Sequence, residues 1–219
     1  MSTTAASPPI EAATMKLLYA PTSPFVRKVM VCAHLTGQAD RIEWLDSAAH
    51  PIRRDPRIAA HNPLAKVPTL ILDDGQSLFD SRVICEYLAA SGRPTNLFPG
   101  EGRPRWRALS LQALGDGLLD AALLARYETT ARPEDLQWQE WRSAQLRKVA
   151  ACVEEIERAS AALQVDDPTI GEVTIGSALG YLDFRFPEFR WRETSPDAAA
   201  WNARFQSTDA MSATVPHDA

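Results

Sequence analysis

The stretch 16–35, KLLYAPTSPFVRKVMVCAHL, decides the fold of this chain. It begins with the short apolar run KLLYA, which is typical of a buried strand. Ser23 followed by Pro24 is a helix-start signal, because serine is a preferred N-cap and proline fits the first helical turn. The run FVRKVMVCAHL then follows as the helix itself. The stretch therefore predicts a strand, a turn and a helix.

The sequence that follows predicts the rest of a small sheet. A second strand is predicted at 41–45, RIEWL, where Ile42 and Trp44 alternate with polar neighbours as in a half-buried strand. The next stretch, up to Pro63, is interrupted by prolines and is predicted to be irregular. A hairpin follows in 67–79, with the apolar run TLIL, the turn DDG and the returning strand SLF.

A further helix is predicted directly after the hairpin. Asp80 and Ser81 form its start, apolar residues follow at helical spacing, and Gly92 is a natural stop. The element order predicted for 15–91, with one helix between the second strand and the hairpin, is β-α-β-α-β-β-α, an α/β arrangement.

The remaining sequence predicts a linker and a second, all-helical domain. Residues 92–102 are polar and rich in glycine and proline, which is typical of a linker, and 103–219 contain long helical patterns without strand alternation. Thr169 and Glu172 have the spacing of a capping box, which we assign to folding and not to chemistry. Residues 1–14 have too little apolar surface to fold and are predicted to be a disordered leader.

Length, composition and charge exclude several classes of protein. The chain has 219 residues, is 45% hydrophobic and carries a net charge of −5, so it can bury a substantial core and presents no basic field. We therefore expect neither nucleic acid nor an anionic membrane as a partner. We expect neither a secretion signal nor an apolar run long enough to span a bilayer.

The spacing of the cysteines and histidines indicates the cellular compartment of the protein and whether it binds a metal. The three cysteines are odd in number and widely spaced, which indicates reduced thiols in the core and a cytoplasmic location: Cys32, Cys85 and Cys152. The four histidines show no metal-ligand spacing with these cysteines, so no metal is expected.

Four motifs together resemble one known family. The segments TSPFVRKV at 22–29, NPLAKVPTLIL at 62–72 and LFDSRVICEYL at 78–88 resemble, in order, the three glutathione-site segments of the glutathione transferase superfamily. GYLDFRF at 180–186 resembles bacterial members that have a serine at the active position. The resemblance covers residues 15–216. Two departures are modest, namely Glu172 where relatives often carry aspartate and Ala65 where they often carry glycine.

The resemblance implies both a fold and an activity. It implies a thioredoxin-like domain at 15–91 that binds glutathione, an all-α helical bundle at 103–219 that shapes the second-substrate pocket, and a homodimer. It also implies an enzyme, a glutathione transferase that uses glutathione as co-substrate against a small electrophile or peroxide. Two alternatives stay open: a non-catalytic protein that binds glutathione or apolar ligands, and a glutathione-dependent isomerase or dehalogenase.

Ser23 is the catalytic residue that the resemblance implies. Its hydroxyl would donate to the glutathione sulfur while the helix N-terminus adds positive partial charge, and both favour thiolate over thiol. On local sequence alone Ser23 is explained as a helix cap, and the two roles can coexist. Thr22 is the local competitor for the same role. Phe25 is expected to line the sulfur pocket.

The remaining glutathione contacts also follow from the resemblance. Val67 and Pro68 would form a cis-proline turn that leaves the Val67 backbone free to pair with the cysteinyl part of glutathione. Asp80 and Ser81 would receive the ammonium and carboxylate of the γ-glutamyl part, although local sequence also explains them as a helix start. Arg54 and Tyr127 are weaker candidates, for the glycyl carboxylate and the electrophile pocket respectively. Local sequence favours a solvated surface role for Arg54, and it supports a core or interface role for Tyr127 at least as well.

Overall fold

The computed structural model describes residues 14–218, so the predicted leader 1–14 lies, except for its last residue, outside the described residues. The first half of the fold has the predicted order of elements: β1 Met15–Tyr19, α1 Pro24–Leu35, β2 Ile42–Asp46, α2 Pro56–His61, β3 Thr69–Ile71, β4 Ser77–Leu78 and α3 Ser81–Ser91. The second half contains helices only among its described residues: α4 Gly102–Thr130, α5 Gln139–Ala159, α6 Ile170–Arg185, α7 Trp191–Thr194, α8 Pro196–Gln206 and α9 Asp209–Ser212.

The strands form one four-stranded mixed sheet in the order β2-β1-β3-β4. β1 pairs in parallel with β2, while β3 is antiparallel to both β1 and β4. The parallel pair needs a crossover, which α1 supplies, and the antiparallel pair β3 and β4 needs only a tight turn at Gly75. The predicted fold class, a thioredoxin-like α/β part followed by an all-α part, is confirmed.

Two local predictions about the sheet region are wrong. The stretch predicted to be irregular contains α2, because Asp55 caps it through a 2.8 Å bond from the Arg57 amide and Pro56 fits its first turn. Trp44, predicted to be half-buried, is 49% exposed and lies with its ring centroid 4.8 Å from that of Tyr19. The reason is that β2 is an edge strand, with little packed against its outer part.

The core of the helical part is built around α6. Its residues from Ile170 to Leu182 are all buried, and it packs against α4, α8 and α1. The predicted capping box starts this helix: the Glu172 carboxylate accepts from the Thr169 amide at 3.0 Å, and the Thr169 hydroxyl accepts from the Gly171 amide at 3.2 Å. A buried helix end needs such partners, because its amides have no intrahelical acceptor.

Helix α4 is also a core helix. Among the described residues it is the one helix long and apolar enough to cross a membrane by length and composition, but 56% of its apolar window is buried inside the fold. It packs against α5 and α6 over most of its length. It begins at Gly102, inside the range predicted to be a linker. The division into a domain at 15–91, a linker at 92–102 and a domain at 103–219 stays a prediction.

Candidate functional site

Three chain segments meet at one edge of the sheet. β1 is followed by the turn that carries Ser23, and Leu18 near the end of β1 pairs with Thr69 at the start of β3. Leu78 at the end of β4 pairs with Leu70, the next residue of β3. Because β3 is antiparallel to both neighbours, the start of α1, the loop before β3 and the start of α3 lie at the same edge. These are the three segments that carry the predicted site residues.

Ser23 caps α1 and faces a cavity. Its Oγ accepts a hydrogen bond from the Val26 amide at 3.3 Å, and its own amide donates to the Ala20 carbonyl at 3.0 Å. Within the described residues the hydroxyl acts only as an acceptor, so its proton is free to be donated. Ser23 therefore combines a helix N-terminus with an available O–H donor.

The loop before β3 presents unpaired backbone groups. The Val67–Pro68 peptide is cis, as the resemblance implied. Within the described residues neither the N–H nor the C=O of Val67 has a hydrogen-bond partner, and Val67 is only half-buried. Asn62 stabilises the loop: its side-chain amide donates to the Lys66 carbonyl at 3.1 Å and to the Thr69 hydroxyl at 3.0 Å.

The start of α3 is the third part of this edge. Asp80 is its N-cap, and one carboxylate oxygen accepts from the Arg82 amide at 2.9 Å. Ser81, the first helical residue, is 2% exposed, and its hydroxyl has no hydrogen-bond partner within the described residues. A carboxylate and a free hydroxyl at a helix N-terminus can bind a group that carries both a cation and an anion.

A cavity of about 790 Å³ opens between this edge and the helical part. The sheet side contributes six residues that matter here: Thr22, Ser23, Phe25, His50, Lys66 and Val67. The helical side contributes six more: Asp120, Leu123, Arg126, Tyr127, Tyr181 and Arg185. The cavity is large enough for two ligands of modest size, one on each wall.

The structure brings some of the candidate residues to the cavity and leaves others beside it. Pro68, Asp80 and Ser81 do not line it, although they belong to the same edge of the sheet. Thr22, the alternative to Ser23 for activating the glutathione thiol, lines the cavity, as does Tyr127. Arg54 is exposed and does not line it, so its proposed contact is not supported by this geometry.

Sequence reasoning missed two polar residues on the sheet side. His50 lines the cavity, and its Nδ1 accepts from the amides of Ile52 and Arg53 at 3.1 Å, which leaves Nε2 as the N–H donor of the ring. Lys66 precedes Val67 within the NPLAKVPTLIL motif, and that adjacency was the available signal. Ala65, also on the cavity wall, has φ of 52°, a conformation that favours glycine and explains the glycine that relatives often carry there.

Sequence reasoning also missed the charged residues of the helical wall. Arg126 comes from α4, while Tyr181 and Arg185 come from α6. Burial raises the pKa of Tyr181 to about 12, and the nearby arginines act against that shift. Arg185 stands inside the GYLDFRF motif, but the motif gives no indication of which of its residues face a ligand.

A buried carboxylate ties the sheet edge to the helical wall. Asp116 of α4 accepts from Lys28 of α1 at 2.6 Å and from Arg82 of α3 at 2.9 Å. The two helices whose N-termini form the edge are thus both anchored to α4. Between residues 14 and 218 no cluster of three histidine, cysteine or acidic side chains is arranged to hold a metal ion.

Comparison with known proteins identifies the family. The models for the N-terminal and C-terminal domains of glutathione S-transferase match residues 22–91 and 139–204. The chain is also 30% identical over 204 residues to the uncharacterized GST-like protein YibF of Escherichia coli, covering 92% of this chain and 98% of that protein. The chain belongs to the glutathione S-transferase family. The resemblance inferred from the sequence motifs is thereby confirmed, and the first model spans every predicted glutathione-site residue of this transferase.

Solved structures of similar proteins agree with this assignment. A glutathione transferase family member from Pseudomonas fluorescens Pf-5 with bound glutathione is 40% identical, with a TM-score of 0.90, and covers 94% of this chain and 100% of that chain. A second structure from the same strain, with bound S-(propanoic acid)-glutathione, is 40% identical, with a TM-score of 0.85 and coverages of 93% and 100%.

Proposed function

We propose that this glutathione S-transferase is an enzyme that binds glutathione at the sheet edge and activates its thiol through Ser23. The observation that supports the proposal is the position of Ser23, which caps α1 on the wall of a cavity of about 790 Å³ and keeps its hydroxyl proton free. The thiolate then attacks a small electrophile or peroxide held against the helical wall. The glutathione bound in a 40% identical relative supports the choice of ligand.

The energy required for activation is within reach of this arrangement. A thiol with a pKa of about 8.5 is only a few per cent ionised at neutral pH, and lowering that pKa by two units takes about 2.7 kcal/mol. A hydrogen bond to a charged group contributes about 1.5–3 kcal/mol and a helix N-terminus about 0.3–1 kcal/mol. One hydroxyl and one helix end are therefore sufficient. Serine has no redox chemistry, so we expect thiolate activation and not disulfide exchange.

The tripeptide would be held along the edge by backbone and side chains. The unpaired N–H and C=O of Val67 would bind the cysteinyl part as an added strand does. Asp80 would pair with the γ-glutamyl ammonium, and the unpartnered hydroxyl of Ser81 at the start of α3 would bind its carboxylate. Phe25 would pack beside the sulfur, and Pro68 would fix the loop. No metal takes part in this scheme.

The reaction itself needs little beyond positioning. The thiol proton leaves to solvent, the sulfur forms a bond to the electrophilic carbon, and a leaving group departs with its electron pair or the adduct takes up a proton. The structure of the Pseudomonas fluorescens relative with S-(propanoic acid)-glutathione supports room for a substituent on the sulfur.

We also propose a cytoplasmic homodimer. The three cysteines are free, which fits a reducing compartment. On the outside of α3 and α4, Val83 is 48% and Trp106 is 66% exposed, and a 3.0 Å pair between Arg105 and Glu86 joins the two helices beside them. Exposed apolar side chains on adjoining helices are typical of a contact surface. Sedimentation equilibrium that returned a monomer would rule the dimer out.

Turnover of an electrophile panel tests the enzyme proposal. We expect wild type to accelerate conjugation or peroxide reduction, and Ser23→Ala to lose about tenfold or more in kcat/KM for the electrophile through its smaller thiolate fraction. Thr22→Ala is the matched control, because Thr22 lines the same cavity one residue away. A loss in Thr22→Ala alone would move the activating role to Thr22. Glutathione binding without any turnover would instead indicate a binding protein.

A further inference from the structure

The helical wall of the cavity holds an arginine with no partner. Arg126 lines the cavity from α4 and is half-buried, and within the described residues its guanidinium makes no hydrogen bond or ion pair. Five N–H donors on one side chain usually find acceptors when water is partly excluded. Arg126 is therefore a cation that faces a ligand space without an anion of its own.

A second arginine on the same wall binds a carboxylate. Arg185 of α6 is only 14% exposed and donates a 2.6 Å bond from Nη2 to Oδ1 of Asp218, near the C-terminus. The pKa of Asp218 is lowered, chiefly by the bond from Arg185 and further by the charges of Arg185 and Arg126. A carboxylate at this place is thus stabilised by both arginines.

A third donor lies on the same cavity wall as the two arginines. Tyr181 is 3% exposed and lines the cavity, and the charges of both Arg126 and Arg185 act on its hydroxyl. Burial raises its pKa to about 12, so the hydroxyl keeps its proton at neutral pH and can donate it. Two cations and a neutral O–H donor make a constellation that binds an anion, while Asp120, the carboxylate on the same wall, is influenced by the charges of Arg82 and Lys66 instead.

We propose that Arg126, Tyr181 and Arg185 form an anion subsite that binds a carboxylate carried by the electrophile. The preferred second substrates of this protein are then acidic electrophiles, whose carboxylate competes with Asp218 for the Arg185 guanidinium. The inference rests on the proposed function for its reactive centre, since the subsite lies in the same cavity as Ser23. The carboxylates of glutathione itself have other donors, His50, Lys66 and Ser81, on the sheet side.

A substitution reaction gives a probe of turnover with defined chemistry. In 4-chloro-3-nitrobenzoate the glutathione sulfur forms a bond to the ring carbon, chloride leaves with the electron pair of the carbon–chlorine bond, and the thiol proton goes to solvent. The neutral 4-chloro-3-nitrobenzamide reacts at the same carbon and serves as its partner. Each kcat/KM is divided by the uncatalysed rate constant, because the two rings differ in intrinsic reactivity.

Binding of two conjugates tests the subsite without any turnover. S-(2-carboxyethyl)glutathione and S-(2-carbamoylethyl)glutathione have the same shape and differ in charge. By isothermal titration calorimetry we expect wild type to bind the carboxylate about tenfold more tightly, and Arg126→Met to lose most of that preference. Arg126→Lys should retain part of it, because a point charge replaces the planar fork.

Controls make the outcome specific. Arg147→Met removes an exposed arginine of α5 that does not line the cavity, and it should leave the preference unchanged. Asp218→Asn removes the internal competitor, so the affinity for the carboxylate conjugate should rise more than that for the amide. This variant changes only an exposed residue near the chain end, so it keeps the test open if Arg126→Met fails to fold.

The two proposals fail in different ways. Equal affinity of wild type for both conjugates, or a preference that survives in Arg126→Met, would overturn the anion subsite and leave the proposed activity standing. A lower carboxylate affinity in Asp218→Asn would equally contradict it. A preserved carboxylate preference with no turnover of either chloronitro compound or of any member of the electrophile and peroxide panel would overturn the proposed activity and leave the subsite standing.

Discussion

Lys28 and Asp116 form an ion pair that is closed to solvent, with Nζ 2.6 Å from Oδ1 and side-chain exposures of 0% and 1%. The pair joins α1, which begins at Ser23, to α4, which supplies part of the opposite cavity wall. The second oxygen of Asp116 accepts from Arg82 on α3 at 2.9 Å. A single carboxylate therefore fixes the relative positions of the sheet edge and the helical wall.

Removing that carboxylate should be costly. In Asp116→Ala the Lys28 ammonium is left buried without a partner, so we expect the free energy of unfolding to fall by about 3 kcal/mol or more. Urea denaturation measures the change. The double variant Lys28→Met/Asp116→Leu should recover much of the loss, because it removes both charges. A loss under about 1 kcal/mol in Asp116→Ala would show that the pair is not a strong tie.

Asp55 should make stability depend on pH at the acid end. Its carboxylate accepts from the amides of Ala48 and Arg57, each at 2.8 Å, and so closes the loop that carries His50 to the cavity. The bond from Ala48, followed by those from Arg57, lowers the pKa of Asp55 from 3.8 to about 2. The ionised form is thus favoured by folding, and its contribution is present above pH 3.8 and lost as the pH falls towards 2.

Replacement of Asp55 should make the free energy of unfolding less dependent on pH in the acid range. We expect Asp55→Asn to be less stable than wild type at neutral pH, and its stability to fall less steeply between pH 3.8 and 2. Chemical denaturation at a series of pH values gives the two slopes. Identical slopes for the two proteins would contradict the assigned role.

Two glycines of α4 offer a matched test of helix packing. A Cβ at Gly115 would lie 2.8 Å from Cγ2 and 3.1 Å from the backbone carbon of Thr174 on α6, whereas a Cβ at Gly117 would meet nothing within 4 Å. Gly115→Ala should therefore destabilise by about 1–3 kcal/mol through overpacking. Gly117→Ala should be neutral or stabilise by up to about 1 kcal/mol, because alanine favours the helix. Equal effects in thermal unfolding would contradict close packing of α4 on α6.

Local signals in the sequence explain how much of the fold was predictable. The serine and proline before α1, the turn at Gly75 and the capping box at Thr169 each have a physical cause that acts within a few residues. The predicted element order includes a helix between the second strand and the hairpin, but α2 was given no residues because Pro56 was interpreted as an interruption, although proline at N1 begins helices. The exposure of Trp44 depends on strand order, which alternation along one strand does not encode.

The candidate site divides in the same way. Its sheet-side residues lie in motifs that resemble those of a known family, so they could be predicted from the sequence. Their roles stay predictions. Arg126 lies on the long core helix α4, and which of its faces borders the cavity depends on how it packs against α6. Helix α6 is buried along most of its length, so Tyr181 and Arg185 had no polar face to mark them.

The most direct test of the account is the pKa of the glutathione thiol when bound, followed by ultraviolet difference titration of the thiolate in wild type and Ser23→Ala. We expect a value about one to two units below the free thiol in wild type, and a return towards the free value in Ser23→Ala. Thr22→Ala, titrated in parallel, should behave as wild type. The same bound pKa in wild type and Ser23→Ala would contradict the account, because Ser23 would then be a helix cap and nothing more.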